Sequence, residues 1–362
     1  MNNNSHMRSF SDQLTYTAVR EEQQAGAACA RHSRISSSSA ARSAMAGVLC
    51  LLSVLAVSAD AQPVPSVEEN IPFLVTFSKS AEKTWGDDDF VQVFFFAVPE
   101  SRKEPVYIRV FDPDAGGKND EDRGGFNSKT FFGVYGGKGA HSDPDARKTN
   151  PEGKYKSGVQ LASKTFSADA QYDDKWYTFG PFNPAEGELQ PEFGGYIFKL
   201  VIEGMDGDDG NLYKIFLSSR SDQNAAIEGG NGFTYEYCFR TNEKTASVSH
   251  LYPFIGKNVI SIKINTFDYD SEGIIRLISV VKKSEMAETS ADGVWSVSTH
   301  KIVDAEINTS VDIQIIKKTA EKNNNVVIYI TNQFGEAMPF FTVPIGGAPK
   351  FKPTIVVKPK DK

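Results

Sequence analysis

Apolar and polar positions alternate with a period of two along much of the chain. Within residues 106–111, Val106, Ile108 and Val110 point one way while Tyr107, Arg109 and Phe111 point the other, the pattern of a strand with one face inward. Residues 90–98 are apolar on both faces, which predicts a strand covered on both sides. Similar segments recur at 71–78, 129–135, 158–166, 176–182, 196–203, 212–217 and 233–240, with Gly, Pro, Asn and Asp clusters between them. No segment carries a helical period. Past a polar interruption at 240–250 the texture becomes Ile- and Lys-rich, with Ile260, Ile262 and Ile264 facing inward and Val311, Ile313 and Ile315 doing the same. The expected fold is all-β, with two consecutive β-sandwich domains. The first, 71–247, is jelly-roll-like with long loops at 112–127 and 136–156. The second, 248–347, is immunoglobulin-like with Trp295 as a core anchor, and a basic tail, 348–362, adds an edge strand.

If strands 90–98 and 106–111 pair as an antiparallel hairpin, acids gather at its open end: Asp87, Asp88 and Asp89 before it, Asp112 and Asp114 after it. The pair 176–182 and 196–203 repeats that layout, with Asp173 and Asp174 on one side and Asp206, Asp208 and Asp209 on the other. A hard cation such as calcium takes six to eight oxygens, and Asp-dense loops with Gly supply carboxylate and carbonyl oxygens together. The candidate calcium ligands are therefore Asp87, Asp89, Asp112, Asp114, Asp120, Asp122, Asp206 and Asp208. A solvated turn is the competing reading, because Asp, Asn and Gly are favoured in turns for backbone reasons. Asp268-Tyr269-Asp270-Ser271-Glu272-Gly273 imitates the first half of an EF-hand loop, but its twelfth position is Ser279, so the expectation there is a turn between strands.

Composition changes the picture at the N-terminus. Residues 45–57 form an apolar run preceded by Arg31, Arg34 and Arg42 and followed by Ala59-Asp60-Ala61, the pattern of a secretory signal peptide cut after Ala61. Residues 1–61 are thus expected to be signal and n-region, with 62–70 a leader, and the mature chain to be exported with no membrane insertion. Cys29 and Cys50 leave with the signal. Cys238 stays, so no internal disulfide is expected, and it reads as a half-buried packing residue. Beyond Ala61 there remain 34 Lys and Arg against 42 Asp and Glu, a net charge of −8 that argues against nucleic acid or anionic membranes as partners.

Catalysis finds little support: there is no G-x-S-x-G, no H-E-x-x-H and no phosphate-binding glycine loop. His141, His250 and His300 read as surface or linker histidines. A hydrolase whose carboxylates the sequence hides is kept as the third reading. The second is a carbohydrate-binding module, with Trp85, Trp176 and Tyr177 as exposed rings beside the acidic loops, against the plainer reading that they pack inward.

The pattern D-D-F-V-Q-V-F-F-F-A-V-P followed by P-V-Y-I-R-V-F-D-P-D resembles the small calcium-associated β-sandwich modules of secreted bacterial proteins, of the pre-peptidase C-terminal type. About 30 residues carry it. The chain departs from that family in its length, its long Gly- and Asp-rich insertions and its lack of a peptidase domain. The resemblance implies an extracellular accessory role and carries over Asp112 and Asp114 as cation ligands. The expected function is a non-enzymatic binding or structural protein at or beyond the cell surface, stabilised by calcium, with a protein or glycan partner.

Overall fold

Alternation is realised as strand in a computed structural model, which describes residues 63–353 apart from 126 and 323. The expected signal peptide and residues 354–362 of the basic tail lie outside the described residues. The chain is all-β and its sheets are antiparallel, none of them closed into a barrel among the described residues. Helix is confined there to short 3-10 turns such as Lys83–Trp85, and no helix is long and apolar enough to cross a membrane.

A nine-stranded sheet runs in the order Trp295–Lys301, Ser261–Phe267, Asn325–Asn332, Glu236–Arg240, Phe73–Phe77, Gly210–Ser218, Val106–Phe111, Trp176–Phe182, with Pro63–Val64 also on Gly210–Ser218. Its first three strands come from the second expected domain, Pro63–Val64 from the expected leader and the others from the first domain. The junction is Glu236–Arg240 against Asn325–Asn332, with Cys238 opposite Val327. A second sheet joins the segments again: Phe340–Phe341, Asn231–Thr234, Val91–Pro99, Gly195–Asp206, Lys129–Gly136 and Val159–Phe166. A third holds Val248–Leu251, Asp312–Lys317, Gly273–Ile278 and Glu285–Ala287. The two segments are therefore layered sandwiches that share sheets, and one apolar cluster runs through both, from Phe94 and Ile108 to Ile264 and Ile313.

The two-sided burial expected of the Phe-rich strand is present. Phe94, Phe96 and Val98 enter the main core, while Val91, Val93, Phe95 and Ala97 face a second cluster with Phe233, Tyr235 and Phe341. The expected hairpins are absent. Val91–Pro99 pairs with Gly195–Asp206 and Asn231–Thr234, whereas Val106–Phe111 pairs with Gly210–Ser218 and Trp176–Phe182. A strand apolar on both faces needs cover on both sides, and the residues after Pro99 supply it by crossing to the facing sheet instead of turning back beside the strand. The strands 176–182 and 196–203 likewise lie in different sheets.

Four other expectations shift. Trp295 is 38% exposed on an edge strand, its ring against Phe267 and Tyr329 instead of anchoring a core. Ile260 lies outside its strand and is exposed. His141 and His300 are buried: His141 is packed edge-on against Phe95 and Phe193, and His300 bonds Glu285 at 2.8 Å. Cys238 is fully inside, its thiol donating to the Gly86 carbonyl oxygen at 3.0 Å, and burial pushes its pKa up, so it is inert.

Candidate metal centre

The exchange of strand partners decides which acids meet. Val106–Phe111 and Trp176–Phe182 pair with Phe111 opposite Trp176, so the loop after the first strand and the loop before the second lie at one end. Asp112, Asp114 and Asp173 converge there, each offering a carboxylate oxygen within 4.8 Å of the others. Asp112 takes the left-handed conformation (φ 57), as does Asp174 (φ 53), which Asp tolerates better than most residues. One Asp112 oxygen accepts from the Asp174 amide at 2.9 Å and the other from Asn119 Nδ2 at 2.6 Å. Asp114 Oδ2 accepts from the Asp169 amide at 3.1 Å. Its Oδ1 is buried with no donor, in a residue 0% exposed. Gly117 (φ 82) passes so close that an added Cβ would stand 2.6 Å from Asp173 Oδ1, so only glycine fits there.

The electrostatics are those of an uncompensated anion cluster. Burial first, then Asp173 and Asp112, raise Asp114 from 3.8 to about 6. Burial also raises Asp112, against the hydrogen bonds of Asn119 and the Asp174 amide. The cation nearest in the network, Lys118, is exposed and engages Asp174 at 2.5 Å instead.

Asp120 and Asp122 stand apart from this cluster. Asp120 spends one oxygen on the Leu212 amide at 2.6 Å and the other on the Gly116 amide at 2.7 Å; burial pushes it to about 9. It ties the loop to Gly210–Ser218. Asp122 is exposed and caps the Gly124 amide at 2.8 Å. Beyond it, Glu121 pairs with buried Arg240, whose Nε donates to Asn325 Oδ1 at 2.7 Å, locking the loop to both expected domains.

Asp87, Asp88 and Asp89 form a second group. Asp87 is consumed by backbone, accepting from the amides of Phe77 and Phe90 at 2.8 Å each. Asp89 Oδ2 and Glu236 Oε2 are buried without a donor, and burial, then Asp89, Asp88 and Asp87, hold Glu236 well above the usual carboxylate range. A third group, Asp268, Asp270 and Asp292, lies in the second segment; Asp268 is raised to about 7 by burial, with one oxygen on the Gly293 amide. Asp206 and Asp208 join none of the three. Asp206 pairs with Lys129 at 3.5 Å, and Asp208 Oδ1 is buried alone.

No protein-family model and no curated protein matches the chain. Among solved structures it is similar to T=3 Penaeus vannamei nodavirus, at 11% identity over 86% of this chain and 98% of that one, with a TM-score of 0.18. A second is the N-terminal CBM22-1-CBM22-2 tandem domain of Paenibacillus barcinonensis Xyn10C, at 10% identity over 69% and 77%, TM-score 0.17. A third is Macrobrachium rosenbergii nodavirus, at 9% over 82% and 98%, TM-score 0.13. Scores this low carry no argument about the chain.

The three candidate platform rings are half-buried, and each already has a cation over it. Arg123 lies 4.0 Å from the Trp85 ring centroid, Arg109 5.2 Å from that of Trp176, and Lys164 4.6 Å from that of Tyr177. Tyr177 is further enclosed by Phe166, Phe179 and Tyr172. Sequence reasoning named Asp112 and Asp114 but not Asp173 as their partner, because that follows from pairing two strands some 60 residues apart. Glu236 and Asp292 were missed for the same reason, and Asp88, though named beside Asp87 and Asp89, was left out of the ligand set.

Proposed function

We propose that the chain is an exported, non-enzymatic binding or structural protein whose first sandwich is stabilised by calcium held by Asp112, Asp114 and Asp173. The observation that carries this reading is Asp114 Oδ1, a buried carboxylate oxygen with no donor, beside two further carboxylates. Burying an anion without a partner is costly unless a cation or proton meets it. Oxygen-only ligands in a loop with a close-approaching glycine suit a hard cation, and backbone carbonyls and water complete the shell of such sites. The resemblance carried by Asp112 and Asp114 points the same way. Export rests on the N-terminal apolar run and its small-residue cleavage pattern.

Thermal unfolding of the mature chain in EDTA and in millimolar calcium tests the reading. A ligand that binds only the folded state raises Tm in step with its concentration. A melting curve indifferent to calcium contradicts it.

A further inference from the structure

A second chemistry lies on Trp295–Lys301, an edge strand of the nine-stranded sheet. Side chains alternate across a strand, so Ser296, Ser298 and His300 share one face with their partners Thr266, Ile264 and Ile262 on Ser261–Phe267. Glu285–Ala287, the edge strand of the third sheet, runs beside that face. Ser296 Oγ donates to the Glu288 carbonyl oxygen at 3.4 Å, and His300 Nδ1 lies 2.8 Å from Glu285 Oε1. On the other side of the ring, His300 Nε2 lies 3.1 Å from Ser298 Oγ. A hydroxyl, an imidazole and a carboxylate are thus bonded in series.

The order of these bonds sets the protons. A carboxylate only accepts, so the His300 proton sits on Nδ1, and in the neutral ring Nε2 is left to accept from the Ser298 O–H. A serine hydroxyl is a weak nucleophile until a base within about 2.6–3.2 Å takes its proton as the new bond forms. Lys282 leaves Glu285 to this role, its Nζ standing 2.6 Å from Glu306 Oε2 and 3.9 Å from Glu285 Oε2. Ser296 is the contrast on the same strand and face: its Oγ meets Thr266 Oγ1 at 2.8 Å and the Glu288 carbonyl, and no base. Access is one-sided. Ser298 is half-buried, and among the described residues its hydroxyl bonds His300 alone, whereas His300 is 2% exposed.

We propose that Ser298 is an acyl acceptor: it takes the acyl group of a carboxylic ester, with His300 as general base and Glu285 as the residue that positions the ring. Ser298 Oγ bonds to the ester carbonyl carbon while its proton passes to His300 Nε2. The bond from that carbon to the alcohol oxygen breaks, and the alcohol departs with the proton. Ester and serine become acyl-serine and alcohol, with no oxidant or reductant consumed. An acyl group on Ser298 covers a ring that is already buried, so water has little access to Nε2 and the acyl-serine persists. The site therefore binds covalently and without turnover. The proposal goes beyond the calcium reading and uses none of its residues.

Incubating the full mature chain in EDTA with p-nitrophenyl butyrate, and separately with diethyl p-nitrophenyl phosphate, tests it. Peptide mapping by mass spectrometry should find the butyryl or diethylphosphoryl group on Ser298, with Ser296 labelled at least about 10²-fold more slowly. Ser298→Ala should lose that adduct. His300→Gln should slow labelling of Ser298 about 10²-fold. Glu285→Gln, at a partly exposed position, should slow it about tenfold or more with Tm unchanged, and serves if the His300 variant does not fold. No adduct at Ser298, equal labelling of Ser296, continuing nitrophenol release beyond that of Ser298→Ala, or a labelling rate indifferent to these variants each overturns the proposal.

Discussion

Replacing Asp114 by asparagine should stabilise the cation-free protein and destabilise the calcium-loaded one. In the cation-free state the Asp114 carboxyl is raised from 3.8 to about 6 by burial and by its two acidic neighbours. At about 1.4 kcal/mol per pKa unit, that is roughly 3 kcal/mol of penalty on the ionised form, as an upper bound. Because the folded pKa lies above the unfolded one, the folded chain holds the extra proton between pH 3.8 and about 6, and stability falls as pH rises through that window. Above about pH 6 the full penalty is present. Asparagine keeps the shape, can still accept from the Asp169 amide and removes the charge. At pH 8 in EDTA, Asp114→Asn should therefore raise Tm by several degrees, at about 2 to 4 °C per kcal/mol for a chain of this size. In calcium at about 100 times Kd the wild type gains about 2.7 kcal/mol, and the variant should lose most of that gain. Scanning calorimetry of both proteins, with EDTA and with calcium, reads the crossing of signs. A variant less stable than wild type in both buffers would refute the reasoning, because Asp114 would then be serving only as an acceptor for backbone.

Other perturbations test the frame around the site. Glu121→Ala removes the carboxylate paired with the buried Arg240 guanidinium and should cost about 3 to 5 kcal/mol in urea unfolding, whereas a change within error would mean that the other partners of Arg240 suffice. Residues 248–353 expressed alone should fail to unfold cooperatively, because Asn325–Asn332 loses Glu236–Arg240 and Phe340–Phe341 loses Asn231–Thr234; a soluble, cooperatively melting fragment would show that the shared sheets are dispensable. Glu69 is raised by burial from 4.5 to about 8, so stability should fall between those pH values, and Glu69→Gln should flatten that slope in a series of melts.

Much of the strand content was legible because alternation is local. Val91–Pro99 announced its two covered faces by having no polar one, and Asp112 and Asp114 announced themselves by crowding beside glycines. Partnership was not legible. Phe111 faces Trp176 and Cys238 faces Val327, across 65 and 89 positions of chain, and periodicity says nothing about such distances. Two apparent hairpins therefore dissolved into facing sheets, and acids from each recombined as Asp112, Asp114 and Asp173. The expected domain boundary near 247 marked a change of texture, yet strands from either side of it share two sheets. Trp85, Trp176 and Tyr177 looked like platforms because the cations that cover Trp85 and Trp176, Arg123 and Arg109, lie 38 and 67 positions away. Asp120 looked like a ligand because a carboxylate that ties down two amides has the same sequence as one that awaits a cation.

The most direct test of a calcium-held sandwich is a crystal of the mature protein soaked in calcium, with anomalous scattering data used to place the ion. The account predicts a peak bounded by Asp112, Asp114 and Asp173, with Asp114 Oδ1 among its ligands. Well-ordered density for those three side chains with no peak between them would contradict it.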